Sequence, residues 1–428
     1  MSLRAALLSP HPPLLVPEVG GQRVEQVAAT SQALEELATR VARLSPGRVV
    51  VITPHGEGHP HALRLYAEPT LQGDFRRFGA AQVRFEVEVD LDFTTRLAKV
   101  AQASGFDCLT RGAAPLDHGL MVPLYFLRQA AVLTPVVVIC VSNQAPGQHY
   151  ELGQVLRTVI EEDPVSTVVV ASGDLSHRLL PSGPYGFDPA GPEYDRRVCE
   201  AISPLRRRAL LDIPAKLEQQ AGVCASRPLG LMLGMLPEGF RSRLLSYEGP
   251  FGVGYAVVGF EPEVEPVRLA RQSIELWVRH GRMLAPGPVF EPLLEQPSAA
   301  FVTLKRSGKL RGCIGTLEPV TRRLADEIAR NAVAACSQDH RFSALTVAEL
   351  EDLEISVSAL HPPEPSQVHA LDPARYGVVV RQGRKRGLLL PGIEQIQTVE
   401  QQLEAVRHKA GIRGELDGLW RFEVTRWD

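Results

Sequence analysis

The stretch Arg48-Val-Val-Val-Ile-Thr-Pro-His-Gly56 decides how the first half of the chain is read. Its five consecutive β-branched residues, Val49–Thr53, favour an extended strand over a helix, and the unbroken apolar run Val49–Ile52 suits a strand covered on both faces. Pro54 interrupts the pattern, and His55 stands just beyond it. The same arrangement recurs at Ala5–Leu8, which precedes His11 in Leu8-Ser-Pro-His-Pro-Pro-Leu14, and at Ser166–Ala171, which precedes His177 in Ser172-Gly-Asp-Leu-Ser-His177. Pro135–Val141 and Tyr255–Phe260 are further runs of this kind. Helical periodicity fills the intervals at Gln22–Leu44, Phe93–Ser104, Leu120–Ala131 and Glu151–Glu162. Strand alternating with helix predicts an α/β domain, a mixed sheet flanked by helices.

This domain is expected to span residues 1–262, and a second one residues 263–428. A chain of 428 residues is long enough for two cores. The break falls at Glu261-Pro-Glu-Val-Glu-Pro266, whose proline and charge suit a semi-rigid linker. Beyond it the pattern changes to α+β. A helix is expected at Val267–Arg279, then strands Ala299–Lys305 and Arg311–Thr316 around a Ser307-Gly308 turn. Helix Arg322–Ser337, strand Glu354–Leu360, a hairpin formed by Gly377–Arg381 and Gly387–Leu390, helix Thr398–Ala410 and strand Leu419–Val424 follow.

Composition narrows the function classes. Forty-four per cent hydrophobic and 22% charged residues describe a globular chain, and a net charge of -3 gives no electrostatic reason to expect nucleic acid as the main ligand. The basic cluster Arg381, Arg384, Lys385 and Arg386 fits a solvated hairpin turn. Six scattered cysteines with no C-x-x-C pair argue against a disulfide framework or zinc ribbon. No apolar stretch reaches ~18 residues. The expectation is a cytoplasmic protein with reduced thiols and no membrane contact.

Four histidines carry the chemistry: His11, His55, His118 in Leu116-Asp-His-Gly119, and His177. All are expected at strand ends or in adjoining loops. Ligand crevices of open α/β sheets lie beyond the carboxyl ends of the strands, so separate elements can aim imidazoles into one pocket. Imidazole suits Fe(II), Zn, Cu and Ni. His59, His61 and His149 are either further ligands or ordinary loop residues.

Leu8–Gly20, Asp117-His118-Gly119 and Ser172–His177 together resemble the class III extradiol ring-cleaving dioxygenase superfamily (LigB-like), which also holds the Memo proteins. The resemblance implies His11 and His55 as metal ligands, His177 as a second-sphere acid/base and His118 as a further one. It implies Fe(II), with Zn or Cu as alternatives, and oxygen-dependent cleavage of a catechol-like aromatic substrate. The chain departs from the dioxygenase pattern at the third ligand. Cys224 stands in Gln220-Ala-Gly-Val-Cys-Ala-Ser-Arg-Pro228, as in the Memo branch, and Glu248 in Ser246-Tyr-Glu-Gly-Pro250 is the alternative carboxylate. A thiolate is softer and shifts preference toward Zn or Cu(I).

In the second half, Leu310-Arg-Gly-Cys-Ile-Gly-Thr316 is the sharpest motif. With Asp339-His-Arg-Phe342, Glu354–Leu360, Gly387-Leu-Leu-Leu-Pro391 and Lys409-Ala-Gly411 it resembles the AMMECR1 family, although Gly392-Ile393-Glu394 departs from its usual pattern. Arg311 beside Cys313 makes these two residues a candidate second site, since a neighbouring cation favours the thiolate; a small packed cysteine is the competing reading. The two resemblances imply a metal-dependent oxidoreductase of dioxygenase type fused to a domain that binds substrate or partner. The alternative is a Memo-like metal or redox module acting with a radical SAM protein in a three-component modification system.

Overall fold

The computed structural model describes residues 2–56, 59–112, 115–306, 308–393 and 395–428, without the side chains of residues 351 and 352. The chain forms two compact units, Met1–Pro262 and Glu263–Asp428. Ser307 of the expected turn and Glu394 of the altered segment lie outside the described residues.

The first unit contains strands β1 (Leu3–Ser9), β2 (Arg48–Thr53), β3 (Leu63–Tyr66), β4 (Thr70–Phe75), β5 (Ala80–Glu88), β6 (Cys108–Arg111), β7 (Val136–Cys140), β8 (Thr167–Ser172), β9 (Phe240–Glu248) and β10 (Tyr255–Pro262). Eight of them build one sheet in the order β6-β3-β7-β2-β8-β1-β10-β9, while β4 and β5 pair as a separate hairpin. The centre is parallel: β2 pairs with β7 and β8, and β8 with β1. Antiparallel β10 and β3 make the sheet mixed.

Continuous hydrophobicity in the central strands follows from their two covered faces. Val50 and Ile52 pack on one side with Phe93, Leu97, Leu152 and Leu156; Val49 and Val51 pack on the other with Leu34, Leu37, Leu120 and Leu124. Helices Leu91–Ala103 and Pro146–Glu162 therefore cover one face, and Ala28–Leu44 and His118–Gln129 the other. The α/β reading holds. What periodicity did not separate were β3, β6, β9 and the β4–β5 hairpin, which are short or half-exposed and mix polar with apolar positions. The helix expected from Gln22 becomes α-helical only at Ala28; Gly21–Val27 is a 3-10 segment.

The second unit is α+β. Strands β11 (Ala299–Arg306), β12 (Lys309–Gly315), β13 (Leu353–Leu360), β14 (Glu364–Pro365), β15 (Gly377–Gln382), β16 (Lys385–Leu389), β17 (Gly418–Phe422) and β18 (Val424–Trp427) form two four-stranded sheets, β12-β11-β13-β18 and β14-β17-β15-β16. The single strand expected at Leu419–Val424 is thus two strands, which break at Glu423 and join different sheets. The hairpin is tighter than expected: Gln382 pairs directly with Lys385, and Gly383 supplies the positive φ of 54° that the turn requires. No free linker occupies Glu261–Pro266. Pro262 still belongs to β10 and Glu265 already begins helix Glu265–His280, whose Arg271 binds the Glu263 carboxylate through two nitrogens.

Candidate metal centre

Three histidine rings meet at the carboxyl end of the parallel strands. His11 lies just after β1, His55 just after β2, and His118 opens helix His118–Gln129, with the Asp117 carboxylate capping that helix by accepting from Leu120 N. His118 is therefore a helical residue rather than a loop one. The ring centroids are 4.7 Å apart for His11 and His55, 4.5 Å for His55 and His118, and 5.3 Å for His11 and His118. Gly119 permits this approach. A Cβ there would stand 2.6 Å from Thr53 Oγ1 and 3.0 Å from His55 Cδ2.

The His11 and His55 Nε2 atoms are 3.0 Å apart, and His11 is buried. Parallel pairing of β1 with β8 sets Ser9 opposite Ser172, so the loops after both strands emerge side by side. This brings Asp174 to His11: its Oδ1 accepts the His11 backbone N–H at 2.9 Å, and its Oδ2 lies 3.8 Å from His11 Nε2. Cys224 Sγ lies 3.7 Å from the same nitrogen. Two groups of residues have ligand atoms close enough to hold one ion, His11–His55–His118 and His11–Asp174–Cys224, with His11 common to both.

Glu248, the alternative third ligand, is engaged elsewhere. Its Oε2 accepts from Thr30 N at 2.7 Å and Thr30 Oγ1 at 2.6 Å, in the first turn of helix Ala28–Leu44. The acid beside His11 is instead Asp174, within the Ser172–His177 motif but not singled out from sequence. Its position two residues beyond β8, matching His11 two residues beyond β1, is the signal that would have found it.

Burial favours the neutral form of His11, His55 and His118, and repulsion from neighbouring imidazoles adds to it at His11 and His118. Burial first, then the charges of His55 and His177, lowers His11 well below the ordinary histidine value. Burial and the two neighbouring imidazoles lower His118 to about 3. Burial lowers His55 also, against the opposing charge of Asp174. Asp174 is pushed up to about 6 by burial, opposed by the His11 N–H and by His177 and His55. Burial and the Asp174 charge push the Cys224 thiol up. Neutral imidazoles with free lone pairs are the ligand form of histidine.

The donor set fits a transition-metal ion. Neutral imidazoles, a carboxylate and a thiol within reach of one another are donors of the kind that bind such ions. His177 stands at the margin of this centre. Its backbone N–H donates to Ala221 O, its ring meets Tyr185 edge-on at 5.1 Å, and its buried Nδ1 has no hydrogen-bond partner among the described residues. His149 and His59 bind elsewhere: His149 Nδ1 to Ala145 O, and His59 Nδ1 to the N–H groups of His61 and Ala62.

In the second unit, Arg311 and Cys313 hold structure together. Arg311 Nε donates to Glu349 at 2.8 Å and its Nη1 to Ser343 O. Cys313 Sγ lies 3.3 Å from Thr303 Oγ1, and its backbone N–H donates to Asp339. The intervening Gly312 lets β12 lie against helix Leu324–Ser337, since a Cβ there would meet Ala335 O at 2.3 Å. Thr316 closes the motif by donating to the buried Glu327.

Comparison with known proteins matches the two units separately. Residues 5–258 match the family described as "Catalytic LigB subunit of aromatic ring-opening dioxygenase", and residues 267–427 match AMMECR1. The protein CA_C1420 of Clostridium acetobutylicum is 36% identical over 465 aligned positions, covering 100% of this chain and 99% of its own. A Thermotoga maritima protein is 46% identical across 38% of this chain and 95% of its own. Among solved structures, the uncharacterized protein PH0010 from Pyrococcus horikoshii is 29% identical across 38% of this chain and 88% of its own, with a TM-score of 0.36. The chain belongs to the LigB family of aromatic ring-opening dioxygenase subunits through its first unit and to the AMMECR1 family through its second.

Proposed function

We propose that the protein is a metal-dependent oxidoreductase of dioxygenase type, with Fe(II) bound at His11, where the group His11–His55–His118 adjoins the Asp174 carboxylate, and with a catechol-like aromatic as substrate. The observation that carries this reading is the convergence on His11 Nε2 of His55 Nε2 at 3.0 Å and Asp174 Oδ2 at 3.8 Å, one from each of the two ligand groups that share His11. Two histidines and one carboxylate with open positions are the ligand set of non-haem Fe(II) oxygenases. Bound there, the ion would supply a centre at which a catecholate and oxygen could be activated.

The chain's own residues divide the remaining work. Burial beside His11 and His55 lowers His118 and favours its neutral form, which suits a hydrogen-bonding or ligating ring. Proton transfer falls to His177, whose Nδ1 makes no other hydrogen bond among the described residues. The AMMECR1 unit binds substrate or a partner in this reading. Metal content after anaerobic purification, followed by oxygen uptake with a panel of catechols, tests the proposal. Iron at one per chain with catechol-dependent uptake is expected; a protein that holds iron and consumes no oxygen with any catechol overturns ring cleavage.

A second reading rests on Cys224, whose sulfur stands 3.7 Å from His11 Nε2. With Cys224 as the third ligand the centre would favour Zn or Cu(I) and would serve as a metal or redox module, with a radical SAM protein as partner. Co-purification of that partner and oxygen-independent metal retention are its marks.

A further inference from the structure

We propose that Ser172 is a positioning residue that locks His11 in the Nδ1–H tautomer and so presents a bare Nε2 to the centre. Ser172 is the last residue of β8 and is fully buried. Its Oγ has two neighbours, the Gly119 carbonyl oxygen and His11 Nδ1, the latter at 2.9 Å. A carbonyl only accepts, so the single hydroxyl proton of Ser172 goes to Gly119 O. What remains on Oγ is lone pairs, and His11 Nδ1 must therefore carry the proton that completes the contact. A neutral imidazole has one N–H, so Nε2 is unprotonated. That atom is the one 3.0 Å from His55 Nε2, 3.7 Å from Cys224 Sγ and 3.8 Å from Asp174 Oδ2.

The same hydroxyl ties three elements together. β8 carries Ser172, the segment after β1 carries His11, and Gly119 lies in the first turn of the helix that His118 opens. Ring orientation, tautomer and the placement of His118 thus depend on one buried side chain. Partners of this kind, on the far nitrogen of a ligating imidazole, are ordinarily worth ~10–100-fold in metal affinity. The part of the inference that concerns metal binding rests on the function proposed above; the tautomer does not.

Two measurements on the full chain separate the two. In the metal-free protein, long-range proton–nitrogen correlation spectra of nitrogen-15-labelled histidine report which ring nitrogen bears hydrogen, with the His11 signals assigned by their loss in His11→Gln. Wild type should show His11 protonated at Nδ1, Ser172→Ala should shift it toward a tautomer mixture, and Ser172→Thr, which keeps the hydroxyl, should restore the wild-type signature. Finding His11 as the Nε2–H tautomer in wild type overturns the proposal whether or not the variants fold. Chelator competition with Fe(II) under anaerobic conditions should give about 10–100-fold weaker binding for Ser172→Ala and near-recovery for Ser172→Thr. Affinity unchanged in Ser172→Ala overturns the positioning role. A tautomer shift in Ser172→Ala alongside no metal binding by any form supports the lock and sinks the metal reading.

Discussion

Asp174 and Cys224, fifty residues apart in sequence, reach the same side of His11 together: the Asp174 backbone N–H donates to Cys224 Sγ at 3.1 Å. The carboxylate and the thiol thus lie together beside His11 Nε2, 3.8 Å and 3.7 Å from it, close enough to hold one ion with it. A hard ligand and a soft one at equal reach leave the choice of metal to their protonation, because each must lose its proton to coordinate.

Replacing these two residues should separate the readings. With iron held by the carboxylate, Asp174→Asn should weaken anaerobic Fe(II) binding by more than ~10–100-fold, the cost of losing an outer-shell partner, and abolish oxygen uptake. Cys224→Ser should leave both within a few-fold. The reverse order, with Cys224→Ser losing the metal and Asp174→Asn keeping it, would favour the thiolate centre.

His11→Ala and His55→Ala should each lower metal occupancy, measured by elemental analysis of the purified full-length variants. His11 should matter more, since both candidate ligand groups contain it. Full occupancy in both variants would falsify the assignment of the centre.

His177→Ala should leave most of the metal in place while reducing turnover ~10²–10⁴-fold, the usual loss on removing a general acid/base. If its effect falls on metal content instead, His177 is a ligand and the division of roles proposed here is wrong.

Stability should fall on acidification in a way traceable to His149. Burial lowers it to about 4, so below its unfolded value of about 6.5 the unfolded chain binds the proton first. The stabilisation is fully present above pH ~6.5 and is lost as pH falls toward 4, up to roughly 3 kcal/mol. His149→Gln should flatten denaturant-measured stability over that interval. An unaltered pH dependence would show that this ring is not the source.

Gly312→Ala should loosen the second unit by about 1–3 kcal/mol, the usual cost of overpacking, because its Cβ would press on Ala335 O. Faster hydrogen exchange is expected in β12 and in helix Leu324–Ser337, with exchange in β1, β2 and β8 unchanged. Equal protection in β12 would mean that the backbone adjusts at no cost.

Periodicity and residue type carry local information, and here they sufficed for the central strands. Arg48–Thr53 could be recognised as a doubly covered strand because each face buries alternate residues, so Val49–Ile52 are all apolar. The placing of His11 and His55 after such strands was legible for the same reason, and the three motifs Leu8–Gly20, Asp117–Gly119 and Ser172–His177 carried the family resemblance. The meeting of Asp174 with His11, at a sequence separation of 163, was not legible, because it depends on β8 lying beside β1. Strand order is set by packing across the whole sheet, which no local pattern encodes. Glu248 looked as available as Cys224 until β9 and helix Ala28–Leu44 were placed, whereupon Thr30 claimed its carboxylate. Likewise Arg311 and Cys313 suggested reactivity by adjacency alone, and only the packed fold directs Arg311 to Glu349 and Cys313 to Thr303. The sequence by itself thus determined the central strands, the principal helices and most of the residue kinds near the centre. The tertiary structure decided which of those residues share it, because side chains from distant segments meet only where the sheet brings their strand ends together.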